Sequence, residues 1–343
     1  MTASKRPLSM PRSGDWRDDY RAAVITPEDL LHRLELKPDD LPFAIDSQSP
    51  FPLKAPPHFV SLMEKGNPND PLLLQVLSRL IERERATGFV GDPVEEAGKF
   101  RSTGLLQKYA GRALLITTGA CAIHCRYCFR RHYEYDENQA TSTRALSAAF
   151  EVLKRDETVR ELILSGGDPL SLSDDRIEEI FSRAADLAHL DVIRIHTRTL
   201  TTVPSRVTAK LLDIIRASTK HTVVVTHTNH PKEIDDIVKH SLGAMKSAGA
   251  VLLNQAVLLR GVNDDSSVLE QHCWRLFDAG VAPYYVHLLD PVDGGSHFDV
   301  PANIAATLEA ALRKKLPGYL MPRFVKETPG APFKTPLESV ANR

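Results

Sequence analysis

From residue 112 onward, short apolar runs alternate with amphipathic stretches of helical spacing, and this alternation limits the fold more than any other feature of the chain. The runs are RALLITTG, ELILSGGDP, VIRIHTRT, HTVVVTHTN, AVLLNQAVLL and APYYVHLLD, for which six buried strands is the natural count. Between them lie SDDRIEEIFSRAADLA (173 to 188), PSRVTAKLLDIIRAS (204 to 218) and PKEIDDIVKHSLGAMKSAG (231 to 249), all with helical periodicity. Strands that each hand over to a helix imply parallel pairing with right-handed crossovers. Six units of about 30 residues fit an α/β fold of the incomplete-barrel kind, a partial (β/α)6 barrel, better than a closed eight-stranded one. A doubly wound sheet is the alternative.

Residues 1–111 read differently. They are rich in proline and charge, and PEDLLHRLEL and DPLLLQVLSRLIERERA predict helices, so this stretch is expected to be a helical N-terminal region. The expected division is therefore 1–111, a barrel over 112–300, and a C-terminal segment over 301–343.

Chemistry gathers at the strand ends. Cys121 onward follows the first run and Ser165 to Asp168 the second. His196 and Arg198 close the third, His227 the fourth and Gln255 the fifth, and Asp290 follows the sixth. In α/β barrels the active site lies at that edge. Polar loops alone would explain one or two such residues, but poorly explain all six.

The partners are narrowed by composition. A net charge of -1 over 343 residues gives no electrostatic reason to bind nucleic acid or an anionic membrane. MTASKRPLSMPRSGDW lacks an apolar leader core, and no stretch approaches the roughly 20 apolar residues of a membrane span. The expected location is cytoplasmic, where clustered cysteines bind metal or do redox chemistry more often than they form disulfides.

Three of the four cysteines, Cys121, Cys125 and Cys128, form C-x3-C-x2-C directly after the first strand. A structural zinc site wants a fourth ligand; His124 sits tightly inside the triplet, and Cys273 lies far away in a helical stretch and reads as a buried thiol. Three thiolates suit a 4Fe-4S cluster held through three irons, with the fourth iron open for catalysis. Zinc or structural thiols remain the alternatives.

The cysteine motif, joined to SGGDP (165 to 169) after the second strand, resembles the radical S-adenosylmethionine superfamily. YAGRALLITTGACAIHCRYCFRR, THTNHP, NQAVLLRGVND, PYYVHLLD and PGAPFKTPL resemble, within it, the lysine 2,3-aminomutase family over essentially residues 100 to 338. Length and ending are most similar to the short branch that makes β-lysine for modification of translation elongation factor P.

The resemblance implies an isomerase that moves nitrogen from C2 to C3 of L-lysine after hydrogen abstraction at C3. Its cofactors would be a 4Fe-4S cluster, S-adenosyl-L-methionine and pyridoxal 5'-phosphate. Cys121, Cys125 and Cys128 would ligate the cluster, and Lys334 in the C-terminal segment would hold pyridoxal phosphate. Gly166, Gly167, His227 and Gln255 match positions near S-adenosylmethionine, and Arg112 matches an arginine of the cofactor pocket. Arg130 matches the residue that grips the substrate carboxylate, a task suited to a two-pronged donor. Asp290 matches a carboxylate for the distal ammonium of lysine. The implied partners are lysine, an electron donor such as flavodoxin or ferredoxin, and an indirect link to elongation factor P and its lysyl-ligase.

Two departures matter. Asp265 stands where longer members of the family carry a zinc-binding cysteine, and the chain stops nine residues after Lys334, so no such zinc site is expected. Glu327 stands where many members place an aspartate beside Asp290, and the extra methylene shifts where an ammonium would sit. The other functional readings are an aminomutase serving general lysine metabolism and a non-catalytic Fe-S or zinc module.

Overall fold

The structure, a computed structural model, describes residues 15–136 and 138–338. Most of the N-terminal stretch read above for a leader, and the last five residues of the expected C-terminal segment, lie outside them.

One sheet of ten strands in sequential order organises the chain. Its centre is parallel: β3 (Arg112–Thr118), β4 (Glu161–Gly166), β5 (Val192–Thr197), β6 (His221–Thr226), β7 (Val251–Val257), β8 (Ala282–His287) and β9 (Arg323–Lys326). Helices α1 (Thr143–Arg155), α2 (Asp174–Ala185), α3 (Ala209–Ala217), α4 (Asp236–Ser247), α5 (Ser266–Asp278) and α6 (Ala302–Lys315) connect these seven strands in turn. The sheet does not close, so the architecture is the expected α/β partial barrel of six strand-helix units, extended by one strand.

Side-chain alternation along these strands builds two surfaces at once. Leu162 and Leu164 of β4, and Ile193 and Ile195 of β5, face the helices and join one core with Phe150, Ile180, Ile215 and Leu242. Ile163, Ser165, Arg194 and His196, the intervening residues, line the inside of the barrel. Each buried leucine or isoleucine in the outer layer contributes about 1.5–3 kcal/mol, and this layer fixes the register that delivers the polar residues inward.

Sequence patterning also marks where the helices start. Side chains of Ser142, Ser173, Thr208, Asp235 and Asp265 accept hydrogen bonds from the first-turn amides of α1 to α5. Asp265 thus has a structural task here: its Oδ1 accepts from the amides of Ser267 at 2.8 Å and Val268 at 3.2 Å.

Two regions depart from the sequence expectation. Residues 100–109, read as part of a helical region, form β1 (Phe100–Ser102) and β2 (Leu105–Tyr109), antiparallel additions to the sheet edge. A two-residue turn returns β2 into β3, with Tyr109 paired to Arg112 and Gly111 at φ 74°, a conformation that favours glycine. At the other edge β10 (Thr335–Pro336) pairs antiparallel with β9. The second departure is 70–86, whose spacing predicts one helix. Only Pro71–Leu74 is α-helical there, with a separate 3-10 turn at Leu80–Arg83. Tertiary hydrogen bonds replace the helical ladder: Arg126 N donates to Gln75 O (2.9 Å), Asp46 N to Ser78 O (3.1 Å) and Leu80 N to Ala44 O (2.9 Å). PEDLLHRLEL does form its helix, Pro27–Arg33. Among the described residues, no helix is long and apolar enough to cross a membrane.

Candidate active site

All of the candidate residues inferred from sequence line a single cavity of about 1060 Å³ inside the barrel. Cys121, Cys125 and Cys128 lie on the loop after β3, Gly166 and Gly167 at the end of β4, and His227 and Gln255 at the ends of β6 and β7. Asp290 follows β8, and Glu327 and Lys334 flank the turn between β9 and β10. Arg112 differs in placement, since it opens β3 rather than ending a strand, and its guanidinium lies over the Tyr109 ring at 5.2 Å.

The cysteine loop is held by long-range contacts. Lys54 Nζ donates to Cys121 O at 2.7 Å, and buried Arg126 forms an ion pair with Glu82. Ile123 packs into the core of the N-terminal region. His124 turns away from the thiols: its Nδ1 meets Pro52 O at 2.9 Å and its ring stacks on Phe51. Among the described residues, no group of three or more His, Cys, Asp or Glu side chains is arranged to hold a single metal ion. Three thiolates that bind three separate irons need not converge on one point. Burial raises the Cys121 thiol and pushes Cys128 up to about 11, so in the bare protein both stay protonated at neutral pH. A bound metal would reverse this.

The glycine pair is required by backbone packing. Gly166 has φ 130°, and a side chain there would strike Thr118 O, while a Cβ on Gly167 would lie 2.5 Å from Ala120 O. The loop after β4 is thereby pressed onto the segment that leads into the cysteines. Asp168 pins it from the far side, accepting from Leu170 N (2.9 Å), Thr197 Oγ1 (2.7 Å) and Arg198 N (2.7 Å).

His227 is half-buried and neutral. Desolvation, with Arg198 nearby, lowers it to about 3. Its Nδ1 contacts Gln255 O at 2.9 Å, which requires the proton on Nδ1, and Nε2 accepts from Tyr127 Oη at 2.8 Å. His196 and His287 also face the cavity, and burial drives both well below the usual imidazole range.

Arg130 has a partner that sequence reasoning missed. Its Nε and Nη2 grip both oxygens of Glu96 at 2.8 and 2.7 Å, and Nη1 donates to Ser165 Oγ (3.0 Å) and Gly166 O (3.1 Å). Burial opposes the charge on Glu96, but Arg130 outweighs it and holds the carboxyl below its ordinary value. Nothing in the local sequence marks Glu96, which is 34 residues from its partner.

Also in the cavity lining, Glu327 accepts from Lys334 Nζ at 2.6 Å and Tyr109 Oη at 2.5 Å. The sequence expectation set Glu327 beside Asp290 around a substrate ammonium. In this structure its carboxylate is instead committed to Lys334 and Tyr109. Asp290 is left alone: Oδ1 is buried without a partner, and burial raises the carboxyl to about 7 despite the pull of Lys334. Lys326, the neighbouring amine, does not line the cavity.

An open α/β barrel whose first strand ends in three thiols, braced against a glycine pair from the second, defines a radical S-adenosylmethionine protein, and residues 115–266 match the Radical SAM superfamily model. The chain is 40% identical over 332 residues to L-lysine 2,3-aminomutase of Escherichia coli, covering 96% of each chain. It is 39% identical to the enzyme of Haemophilus influenzae (94% of this chain, 95% of that one) and 31% identical to that of Clostridium subterminale (94% and 77%). The chain belongs to the L-lysine 2,3-aminomutase family.

That family implies a 4Fe-4S cluster, S-adenosylmethionine and pyridoxal phosphate, and the residues present fit all three. The thiols and the glycine pair share one end of the cavity. Lys334 lines the same cavity and is 29% exposed. The orphaned Nε2 atoms of His196 and His287 and Oδ1 of Asp290 are buried polar atoms that a polar ligand would satisfy.

Proposed function

We propose that this protein is a lysine 2,3-aminomutase that converts L-α-lysine to β-lysine, and that its physiological product supplies the modification of elongation factor P. The observation that carries the reading is that the three thiols and Lys334 line the same cavity, so a cluster end and an amine end serve one bound substrate. The cluster with S-adenosylmethionine supplies hydrogen-abstracting radical chemistry, and pyridoxal phosphate supplies the carbonyl that carries the migrating nitrogen.

The chain's own residues bind, orient and exclude water. Cys121, Cys125 and Cys128 would hold three irons, while neutral His227, the Gly166–Gly167 backbone and Gln255 would border S-adenosylmethionine. Lys334 would engage pyridoxal phosphate, and Arg112 would meet an anionic group of the cofactors. Arg130, kept rigid by Glu96, has one N–H left, on Nη2, for the substrate carboxylate. Asp290 has a buried, partnerless oxygen, and an incoming ammonium would restore its charge by pulling its pKa down. Glu327, near enough to Asp290 to oppose its ionisation, would offer a second carboxylate for the same ammonium. Such a pair disfavours apolar side chains, since it would leave carboxylates buried and unpaired. An external one-electron donor of the flavodoxin or ferredoxin kind is required.

Support for the elongation-factor role is the resemblance of the sequence to the short branch of the family. Genes for elongation factor P and its ligase beside this one would favour that role over general lysine metabolism. The activity itself is tested by anaerobic incubation of the reconstituted protein with lysine and chiral analysis of the product. β-Lysine is the expected outcome; unchanged lysine with an intact cluster and bound pyridoxal phosphate would refute the assignment.

A further inference from the structure

Behind the cysteine loop lies a buried polar network that the proposed reaction does not use. Its centre is Arg198, 5% exposed, just after β5. Arg198 Nη1 donates to Cys125 Sγ at 2.8 Å and Tyr127 Oη at 2.7 Å, and Nη2 donates to Gln75 Oε1 at 2.7 Å and Glu233 Oε2 at 2.9 Å. Glu233 is fully buried, and its Oε1 accepts from the amides of Asn229 (2.8 Å) and His230 (3.1 Å). Among the described residues, Cys125 is the one thiol of the three whose sulfur accepts a side-chain N–H.

We propose that Arg198 is a positioning and tuning residue that raises the reduction potential of the cluster, with Glu233 set behind it to limit the rise; the inference rests on reading the three thiols as cluster ligands. Reduction adds one negative charge to a centre that already carries three thiolates. A guanidinium in contact with one ligating sulfur stabilises that added charge and withdraws density from the sulfur through a charge-assisted hydrogen bond. Burial keeps water from screening it. The Glu233 carboxylate lies beyond the guanidinium and opposes the effect more weakly. A lone cation here would be costly to bury, and a lone carboxylate more so, which is why the two occur together. Arg206 offers an internal contrast: it is also buried and forms an ion pair with Asp174 at 2.7 Å, but its hydrogen bonds run to Leu170 O and Leu172 O rather than to sulfur.

The test is an anaerobic redox titration of the reconstituted full-length protein, followed by electron paramagnetic resonance. Arg198→Gln combined with Glu233→Gln, which removes both buried charges, should make cluster reduction at least tenfold less favourable, a shift of 59 mV to more negative potential for one electron. Glu233→Gln alone should move the potential the opposite way. Arg206→Gln should lower thermal stability and leave the potential at the parent value. A double variant that titrates with the parent would overturn the proposal and leave Arg198 as a brace. If the double variant takes up no cluster, Glu233→Gln decides the matter, and an unchanged or more negative potential overturns the proposal. A parent protein that itself takes up no cluster would refute the reading of the thiols, a result distinct from a cluster whose potential ignores these substitutions.

Discussion

The cysteine loop and the Lys334 segment border one cavity, yet they are held in opposite ways. The loop is braced by side chains from remote parts of the chain: Lys54 on Cys121 O, Glu82 on Arg126 and Arg198 on Cys125. The Lys334 segment rests on the four residues of β9 and the two of β10, with Phe333 60% exposed beside it. One of its ties is the Lys334–Glu327 ion pair, a contact within the site itself. The difference teaches that the thiol end is built before any ligand arrives, whereas the amine end is held by groups that ligands would take over. Asp290, raised to about 7 without a partner, is the clearest sign of that unfinished end.

The contrast breaks most sharply at the thiols. Cys128→Ala should abolish the iron-sulfur absorbance and all activity, while Cys273→Ala, in a buried thiol of α5, should leave both nearly intact. Equal loss in the two variants would remove the cluster from one end of the comparison. At the other end, Lys334→Ala should eliminate the pyridoxal phosphate chromophore and turnover yet spare the cluster, because the two groups have separate ligands. A chromophore that borohydride still fixes to the protein would move the attachment to another lysine, with Lys326 the first candidate.

A smaller effect sharpens the idea of an unfinished amine end. Because the folded pKa of Asp290 lies above its ordinary 3.8, its contribution to stability is present below about pH 4 and is lost as pH rises to about 7. Denaturant unfolding of the cofactor-free protein should therefore show Asp290→Asn gaining on the parent across that window, by on the order of 4 kcal/mol. A difference that stays constant with pH would mean the carboxylate is satisfied. Smaller again is Glu327→Gln, which keeps the shape but loses the charge facing Lys334. Its kcat/KM for lysine should fall roughly ten- to a hundredfold, with Glu327→Asp losing less and the cluster spectrum unchanged. Parent-like turnover would leave substrate choice to Asp290 alone.

Much of the thiol end was legible in the sequence. Its chemistry sits in contiguous motifs, and the place of Ser165 and His196 at the C-terminal ends of apolar runs pointed to the cavity they line. Lys334 was legible only through family resemblance, since a lysine near a Pro-Gly turn carries no signal of its own. Contacts between distant segments left no trace: Arg130 with Glu96, Tyr109 with Glu327 across 218 residues, and Arg198 with Cys125 across 73. The broken helix over 70–86 has the same cause, because its helical spacing was overruled by backbone hydrogen bonds to residues 44, 46 and 126. β1, β2, β9 and β10 are too short for a periodic pattern to reveal them.

If the two ends form one reaction centre, hydrogen must pass between the ligands they hold. The direct measurement is anaerobic incubation of the loaded protein with lysine deuterated at C3, followed by mass spectrometry of S-adenosylmethionine, lysine and product. Deuterium entering S-adenosylmethionine and distributing into β-lysine is the expected result. Product formed with no label ever reaching S-adenosylmethionine would contradict a shared centre.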